Sequence, residues 1–143
     1  MLEMKKMSKK SIEKMSFLGG TCNESTWRSK IEAEVKNIKL FNPVVDDWNE
    51  EAQKREIEAR KTCTACLYVI TPKMTGVYSI AEVVDDSNKQ PWKTMFCWLE
   101  KDGDNEFDKH QRKSLIQVEK MVSENGARTF DDLDEVIKFL KEL

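Results

Sequence analysis

The 143-residue chain is poor in several features whose absence excludes classes of protein. Its four cysteines are few for a disulfide scaffold of this length. Cys63 and Cys66 have the spacing of a redox or zinc pair, but a predicted helix precedes them and a strand follows, the reverse of a redox site. Cys22, Cys97 and the single His110 do not form the second pair of ligands that zinc requires. We therefore expect buried structural thiols and no metal site.

Long apolar runs and an excess of positive charge are also missing. The longest apolar stretches, such as Met95–Leu99, are too short to cross a bilayer. Residues 1–15 carry five lysines but no apolar segment of the kind found in secretory signals, so we expect a cytoplasmic protein. A formal net charge of −2 provides no basic field for nucleic acid or for an anionic membrane. Neither is an expected partner.

Short apolar runs alternate with amphipathic stretches along the remainder of the chain. The run Ala65–Thr71 is almost continuously apolar, which is typical of a central parallel strand covered on both faces. Strands are predicted at 16–20, 39–45, 65–71, 94–99 and 127–130, and helices at 24–35, 49–62, 76–88, 109–123 and 131–143. This alternation predicts a doubly wound, flavodoxin-like or Rossmann-like α/β domain over residues 16–143, after a flexible extension at 1–15. Its sheet has five mostly parallel strands in the order 2-1-3-4-5, with helices on both faces.

Ligands of such sheets bind at the carboxyl ends of the strands, which directs attention to the loops that follow them. The first loop contains Gly19, Gly20 and Thr21. Two glycines at a helix start expose backbone N–H groups to an anion or a hydroxyl, and they equally suit a tight strand-to-helix turn. The loop matches neither the dinucleotide-binding glycine pattern nor the Walker A loop. The second loop presents Asn42, Asp46 and Asp47, which either contact a ligand or cap the next helix.

The third loop leads into a predicted helix that contains an unusually placed acid. Gly76, Tyr78 and Ser79 precede Glu82, whose sequence neighbours on both sides are apolar. An ionised carboxylate is costly to bury without partners, so a glutamate in this position is either a nucleophile presented to a ligand or a solvated residue on the outer helix face. The residues alone leave both interpretations open.

Three long motifs together resemble the nucleoside 2-deoxyribosyltransferase-like family. They are FLGGTCNESTWR at 17–28, FNPVVDDW at 41–48 and YVITPKMTGVYSIAEVVDDS at 68–87. The resemblance extends from about residue 16 to the carboxyl terminus. It implies an enzyme that cleaves the base–sugar bond of a nucleoside or nucleotide by transfer to another base or by hydrolysis, without a cofactor. It also implies a homo-oligomer, as a dimer or larger assembly.

The resemblance also assigns roles to individual residues. Glu82 inherits the role of the nucleophile that attacks the anomeric carbon in a two-step retaining displacement. The candidate proton donors are Asp46, Asp47 and Tyr78. The residues implied to bind the substrate are Gly19, Gly20, Thr21, Asn42, Asp46, Gly76 and Ser79.

The chain departs from the family pattern at two places. Characterised transferases carry an aspartate just before the third strand and another in the loop before the nucleophile. In this chain the first place is Thr64 and the second lies near Gly76, and neither is acidic. These departures keep two alternatives open. One is a nucleotide-binding module that has lost catalysis, and the other is a TIR-like domain that cleaves a nicotinamide dinucleotide.

Overall fold

The computed structural model describes residues 13–143, so the extension predicted at 1–15 lies almost entirely outside the described residues. The main sheet consists of β1 (Met15–Gly20), β2 (Lys39–Phe41), β3 (Ala65–Ile70), β4 (Thr94–Trp98) and β7 (Arg128–Phe130). All of its strand pairs are parallel, and its order is β2-β1-β3-β4-β7. The predicted doubly wound fold and strand order are therefore confirmed.

Four α-helices connect these strands and a fifth follows the last strand, and side-chain caps fix where three of the five begin. They are α1 (Trp27–Glu34), α2 (Glu50–Thr62), α3 (Tyr78–Lys89), α4 (Lys109–Glu124) and α5 (Leu133–Lys141), with a short 3₁₀ turn at Pro91–Lys93. Asn49, Asp108 and Asp132 each accept a backbone N–H from the first turn of α2, α4 and α5. Within residues 13–143, none of these helices has the length and apolar character needed to cross a membrane.

The two largest errors in the predicted boundaries have identifiable reasons. The first helix begins at Trp27 rather than at Glu24, because Glu24 has a φ of 63° and is therefore outside helical backbone space. The second strand ends at Phe41 rather than at Val45. Pro43 lacks the N–H that a strand ladder requires, and the exposed Val44 and Val45 belong to the loop that follows.

The hydrophobic core lies on both faces of the sheet. Phe17, Tyr68 and Phe96 point to one face, where α2, α3 and α4 cover them, whereas Leu67 and Met95 point to the other face under α1 and α5. Every residue of β3 is buried, as expected for a strand with helices on both sides. Cys63 and Cys66 are buried thiols, and burial raises the pKa of Cys66 to about 12. The interpretation of this pair as structural is consistent with that environment.

A two-stranded hairpin follows β4, although the sequence did not predict one there. Its strands are β5 (Lys101–Asp102) and β6 (Asn105–Glu106), in a segment predicted to be a polar loop. The two-residue turn is Gly103-Asp104, a common hairpin sequence, and Gly103 has the positive φ of 60° that such a turn requires. The Asp102 carboxylate accepts hydrogen bonds from Ser25 and Thr71, which attach the hairpin to the carboxyl edge of the sheet.

Candidate active site

A cleft of about 460 Å³ lies at the carboxyl end of β1, between the loop after β2 and the facing surfaces of α2 and α3. One wall is mostly apolar and comes from the second loop, and it consists of Pro43, Val44, Val45 and Trp48. The opposite wall is polar and comes from the two helices, and it consists of Gln53, Glu56, Tyr78, Ser79 and Glu82. Gly19 and Gly20 line the cleft from the sheet side, together with Cys22 and Arg28. An apolar pocket with a few convergent polar groups is typical of small-molecule sites.

The two glycines are required by close approach of the backbone. Gly20 has a φ of 122°, and a Cβ at this position would lie 1.9 Å from the carbonyl oxygen of Val69. A Cβ on Gly19 would lie 2.7 Å from the aromatic rings of Phe17 and Tyr68. The turn therefore brings bare backbone to the cleft. It does not place that backbone at a helix N-terminus, because α1 begins only at Trp27.

A buried arginine fixes the shape of this turn. The Arg28 guanidinium donates to the carbonyl oxygens of Leu18, Gly20 and Thr21 at 3.0, 3.2 and 2.7 Å. It also stacks at 4.3 Å over the ring of Trp27. Burial lowers the pKa of Arg28 to about 10, so the side chain is still charged at neutral pH. From the sequence, Arg28 is either a phosphate-binding residue or, as is more usual for an arginine, a solvated surface charge. In the structure only 6% of it is exposed.

Glu82 lies in the second turn of α3 and only 4% of it is exposed. Its Oε2 has no hydrogen-bond partner among the residues that the structure describes. The open alternative of a solvated glutamate on the outer helix face is therefore wrong. Glu82 lines the same cleft as Gly19 and Gly20, although they are more than sixty positions apart in the chain.

A second acid, Glu56, lies beside Glu82 on the same wall of the cleft. The pKa of Glu82 is raised to about 8, first by burial and then by the neighbouring Glu56, whereas Arg60 acts to lower it. Burial and the second acid therefore both favour the protonated form of Glu82. The indole N–H of Trp48 donates to the other side of this pair, to Oε2 of Glu56 at 3.3 Å.

Glu56 is not distinctive in the sequence, because α2 is so rich in charged residues that no single acid stands out. A usable signal was nevertheless present in the helical spacing. Ala52 and Ala59 are the buried residues of α2. Glu56 follows the first by four positions and precedes the second by three, so it lies on the same inward face.

Other residues proposed from the sequence lie outside the cleft lining. Asp46 and Asp47 are exposed, and the apolar Val44 and Val45 line the cleft in their place. The Asn42 side chain accepts the N–H of Val44 at 3.0 Å. Thr21 is buried, and its hydroxyl accepts the N–H of Thr71 at 2.9 Å. A Cβ on Gly76 would have no neighbour within 4 Å, whereas Tyr78 and Ser79 both line the cleft.

Thr64, the first departure from the family pattern, lies away from the cleft. Thr64 immediately precedes β3 and bonds with the backbone of Met15 at the start of β1. An acid at this position would therefore lie at the amino edge of the sheet, whereas the cleft is at the carboxyl edge. Its absence removes no carboxylate from the cleft.

The family model described as nucleoside 2-deoxyribosyltransferase like matches residues 13–97, which is more than half of the chain. The chain belongs to the nucleoside 2-deoxyribosyltransferase-like family. The matched segment of this family member contains β1 to β3 and α1 to α3, and with them every residue that lines the cleft. A comparison with curated proteins found no match.

Proposed function

We propose that the protein cleaves the base–sugar bond of a nucleoside or nucleotide, by transfer or hydrolysis, through a covalent glycosyl ester on Glu82. The observation that carries this proposal is the buried Glu82 carboxyl, which lines a cleft bounded by bare glycine backbone. An ionised carboxylate in that position has a lone pair for attack on an electrophilic sugar carbon. Family membership favours C1′ of a nucleoside-type sugar as that carbon.

The proposed reaction has two displacement steps with balanced proton transfers. In the first step, Glu82 forms a bond to C1′ while the bond between C1′ and the base nitrogen breaks, and the base takes up a proton. In the second step, water or another base attacks C1′, loses a proton and releases Glu82 as a carboxylate. The two attacks come from opposite faces of the sugar. Each inverts the configuration at C1′, so the two steps together retain it.

We assign the proton of this reaction to Glu56. Glu56 is the second carboxyl group of the cleft, beside Glu82, and in this proposal it takes up the proton of Glu82 when Glu82 ionises. When Glu82 bonds to carbon, Glu56 gives the proton to the departing base, and it takes a proton back from the incoming nucleophile. The Trp48 N–H holds one oxygen of Glu56 in place. Tyr78, which also lines the cleft, is the remaining sequence candidate for this role.

The apolar wall is the proposed site of the base. Trp48 is 56% exposed and Val44 is 50% exposed, so both present apolar surface that a flat aromatic ring would cover. Stacking of a base on an aromatic side chain contributes about 1–3 kcal/mol. A base on this wall would lie next to Glu56, since Trp48 contacts that carboxyl.

The test is incubation with a panel of nucleosides and nucleotides, with and without an acceptor base, followed by chromatography of free and exchanged base. We expect base release from at least one substrate, and no release by Glu82→Gln. Tight binding without release would favour the inactive module, and release of nicotinamide from a dinucleotide would favour the TIR-like alternative. Either result would contradict the proposal.

Glu56→Gln is expected to lower kcat about 10²–10⁴-fold on ordinary nucleosides, because an amide supplies no proton to the departing base. A 7-methylpurine nucleoside carries a positively charged base that leaves without a proton. The loss on that substrate is therefore expected to be less than about tenfold. The measurement is steady-state release of both bases by the variant and by the native protein.

Glu58→Gln is the matched control for this substitution, because Glu58 is an exposed residue of the same helix. We expect its rates to equal those of the native protein on both substrates. An equal loss on the two substrates by Glu56→Gln would contradict the assignment of the proton to Glu56.

The homo-oligomer implied by the family resemblance stays a prediction. Trp92, which the sequence suggested for an interface, is 75% exposed. Trp98 instead packs against Phe107 within the same chain, with ring centroids 6.3 Å apart. Of the two tryptophans, Trp92 is therefore the proposed interface residue.

A further inference from the structure

A buried ion pair lies directly behind Glu82, between α2 and α3. The Arg60 guanidinium donates through Nε and Nη2 to the two carboxylate oxygens of Asp86, at 3.2 and 2.8 Å. Nη2 also donates to Asp85 at 3.0 Å. The third nitrogen, Nη1, lies 3.7 Å from Oε2 of Glu82. One guanidinium thus joins the candidate nucleophile to a carboxylate one helical turn further along α3.

Asp86 is held from two further directions. The Tyr68 hydroxyl, on the central strand, donates to Oδ2, and the Gln90 side chain donates to Oδ1 at 3.1 Å. Gln90 also donates to the backbone carbonyl of Arg60 at 2.9 Å. Asp86 is only 2% exposed, so these bonds are shielded from water. A two-pronged bond between a planar guanidinium and a fixed carboxylate defines the direction of the third nitrogen.

We propose that Arg60 is a positioning residue for Glu82, and that Asp86 aims its Nη1 at Oε2 of Glu82 so that this carboxyl is ionised when substrate binds. This inference rests on the proposed function, because it assigns Arg60 to the nucleophile of that reaction. The separation of 3.7 Å is too long for a hydrogen bond, so Arg60 acts on the Glu82 carboxylate through its charge. In the second displacement step, the same charge stabilises the carboxylate that is released.

The charged groups around Glu82 determine how removal of Arg60 would affect the ionisation of Glu82. Glu56 on α2 and Asp86 on α3 place negative charge beside Glu82, and Tyr68 on β3 contributes a neutral hydroxyl. Arg60 is the positive group among these neighbours. Its loss would therefore leave the ionised form of Glu82 unsupported, and ionisation would require a higher pH.

The experiment measures the ionisation of Glu82 directly and does not depend on activity. Protein labelled with ¹³C at the glutamate side-chain carboxyl carbon is titrated by NMR, and the Glu82 signal is assigned by its absence in Glu82→Gln. We expect Arg60→Met to raise the titration midpoint by about one pH unit or more, and Arg60→Lys to change it by less than about half a unit. Arg55→Met removes an exposed positive charge of the same helix and is expected to leave the midpoint unchanged.

The pH profile of kcat/KM supplies the second readout. With Arg60→Met, we expect the acidic limb to move to higher pH by the same amount as the NMR midpoint, with KM changed less than about threefold. An unchanged NMR midpoint in Arg60→Met and Arg60→Lys, both shown to be folded by circular dichroism, would overturn the inference. A shifted midpoint in a protein that acts on no substrate of the panel would instead overturn the proposed function alone. If Arg60→Met does not fold, Arg60→Gln is measured in its place, and an unchanged midpoint in the folded Arg60→Gln variant would overturn the inference.

Discussion

Glu82→Gln is expected to lower base release at least about 10⁴-fold, because an amide oxygen is a poor nucleophile and forms no stable ester with the sugar. Glutamine has nearly the same shape as glutamate, so the cleft keeps its dimensions. We therefore expect substrate binding to persist in the variant. The measurement is single-turnover base release together with equilibrium binding of the same nucleoside.

The same substitution is expected to stabilise the fold at alkaline pH. The folded state raises the pKa of Glu82 from 4.5 to about 8, so the unfolded chain loses its proton at lower pH than the folded protein does. Between these two values the folded state binds more protons, and the free energy of unfolding falls as pH rises. Glutamine does not ionise and escapes this loss. We expect the melting temperature of Glu82→Gln to exceed the native value by about 4 °C or more at pH 8, and by much less at pH 5.

Two outcomes would contradict this account of Glu82. One is turnover by Glu82→Gln within tenfold of the native rate. The other is a melting temperature at pH 8 that is lower than the native value, which would mean that the ionised carboxylate stabilises its site. Glu58→Gln, on the exposed face of α2, is expected to behave as the native protein in both measurements.

Gly20→Ala is expected to lower the free energy of unfolding by more than about 3 kcal/mol, and the variant is expected to be largely unfolded at 37 °C. An alanine at a φ of 122° is strained, and its Cβ would lie 1.9 Å from the Val69 carbonyl oxygen. That oxygen accepts the N–H of Thr21 at 2.9 Å, so relief of the clash would break the bond between β3 and the glycine turn. Urea unfolding followed by circular dichroism measures the loss.

Gly76→Ala provides the matched control for the glycine turn. A Cβ at Gly76 would meet no atom within 4 Å, and the backbone of Gly76 does not have a positive φ. We expect its midpoint of urea unfolding to equal or slightly exceed the native value, because alanine restricts the unfolded chain more than glycine does. Equal stability of Gly20→Ala and the native protein would show that the turn can relax, and would contradict the close approach described for it.

The fold could be predicted because its signals are local and repeated. The buried run at β3 and the regular alternation of strands and helices define a doubly wound sheet, and right-handed crossovers leave few strand orders. The errors occurred where a single residue decides a boundary. Glu24, in left-handed backbone, delays α1, and Pro43 ends the β2 pairing early.

The site could be predicted only in part, because its residues come from distant segments. Glu82 was identified through the family resemblance, and its apolar neighbours supplied an independent reason to examine it. Asp46 and Asp47 were selected because a strand to Val45 would have placed them at the sheet edge. With β2 ending at Phe41, the loop instead turns Val44 and Val45 to the cleft. The contact between Glu56 and Glu82 depends on how α2 packs beside α3, which the spacing of residues does not determine.

The most direct test of the central claim is intact-mass and peptide mass spectrometry after incubation with a 2-fluoro nucleoside. The fluorine destabilises both oxocarbenium-like transition states, so it slows both steps. The glycosyl-enzyme accumulates when its breakdown is slowed more than its formation. We predict a protein heavier by one fluorinated sugar, with the added mass on the peptide that contains Glu82, and no added mass on Glu82→Gln. Release of base from the native protein without an adduct, or with an adduct on another residue, would contradict covalent catalysis by Glu82.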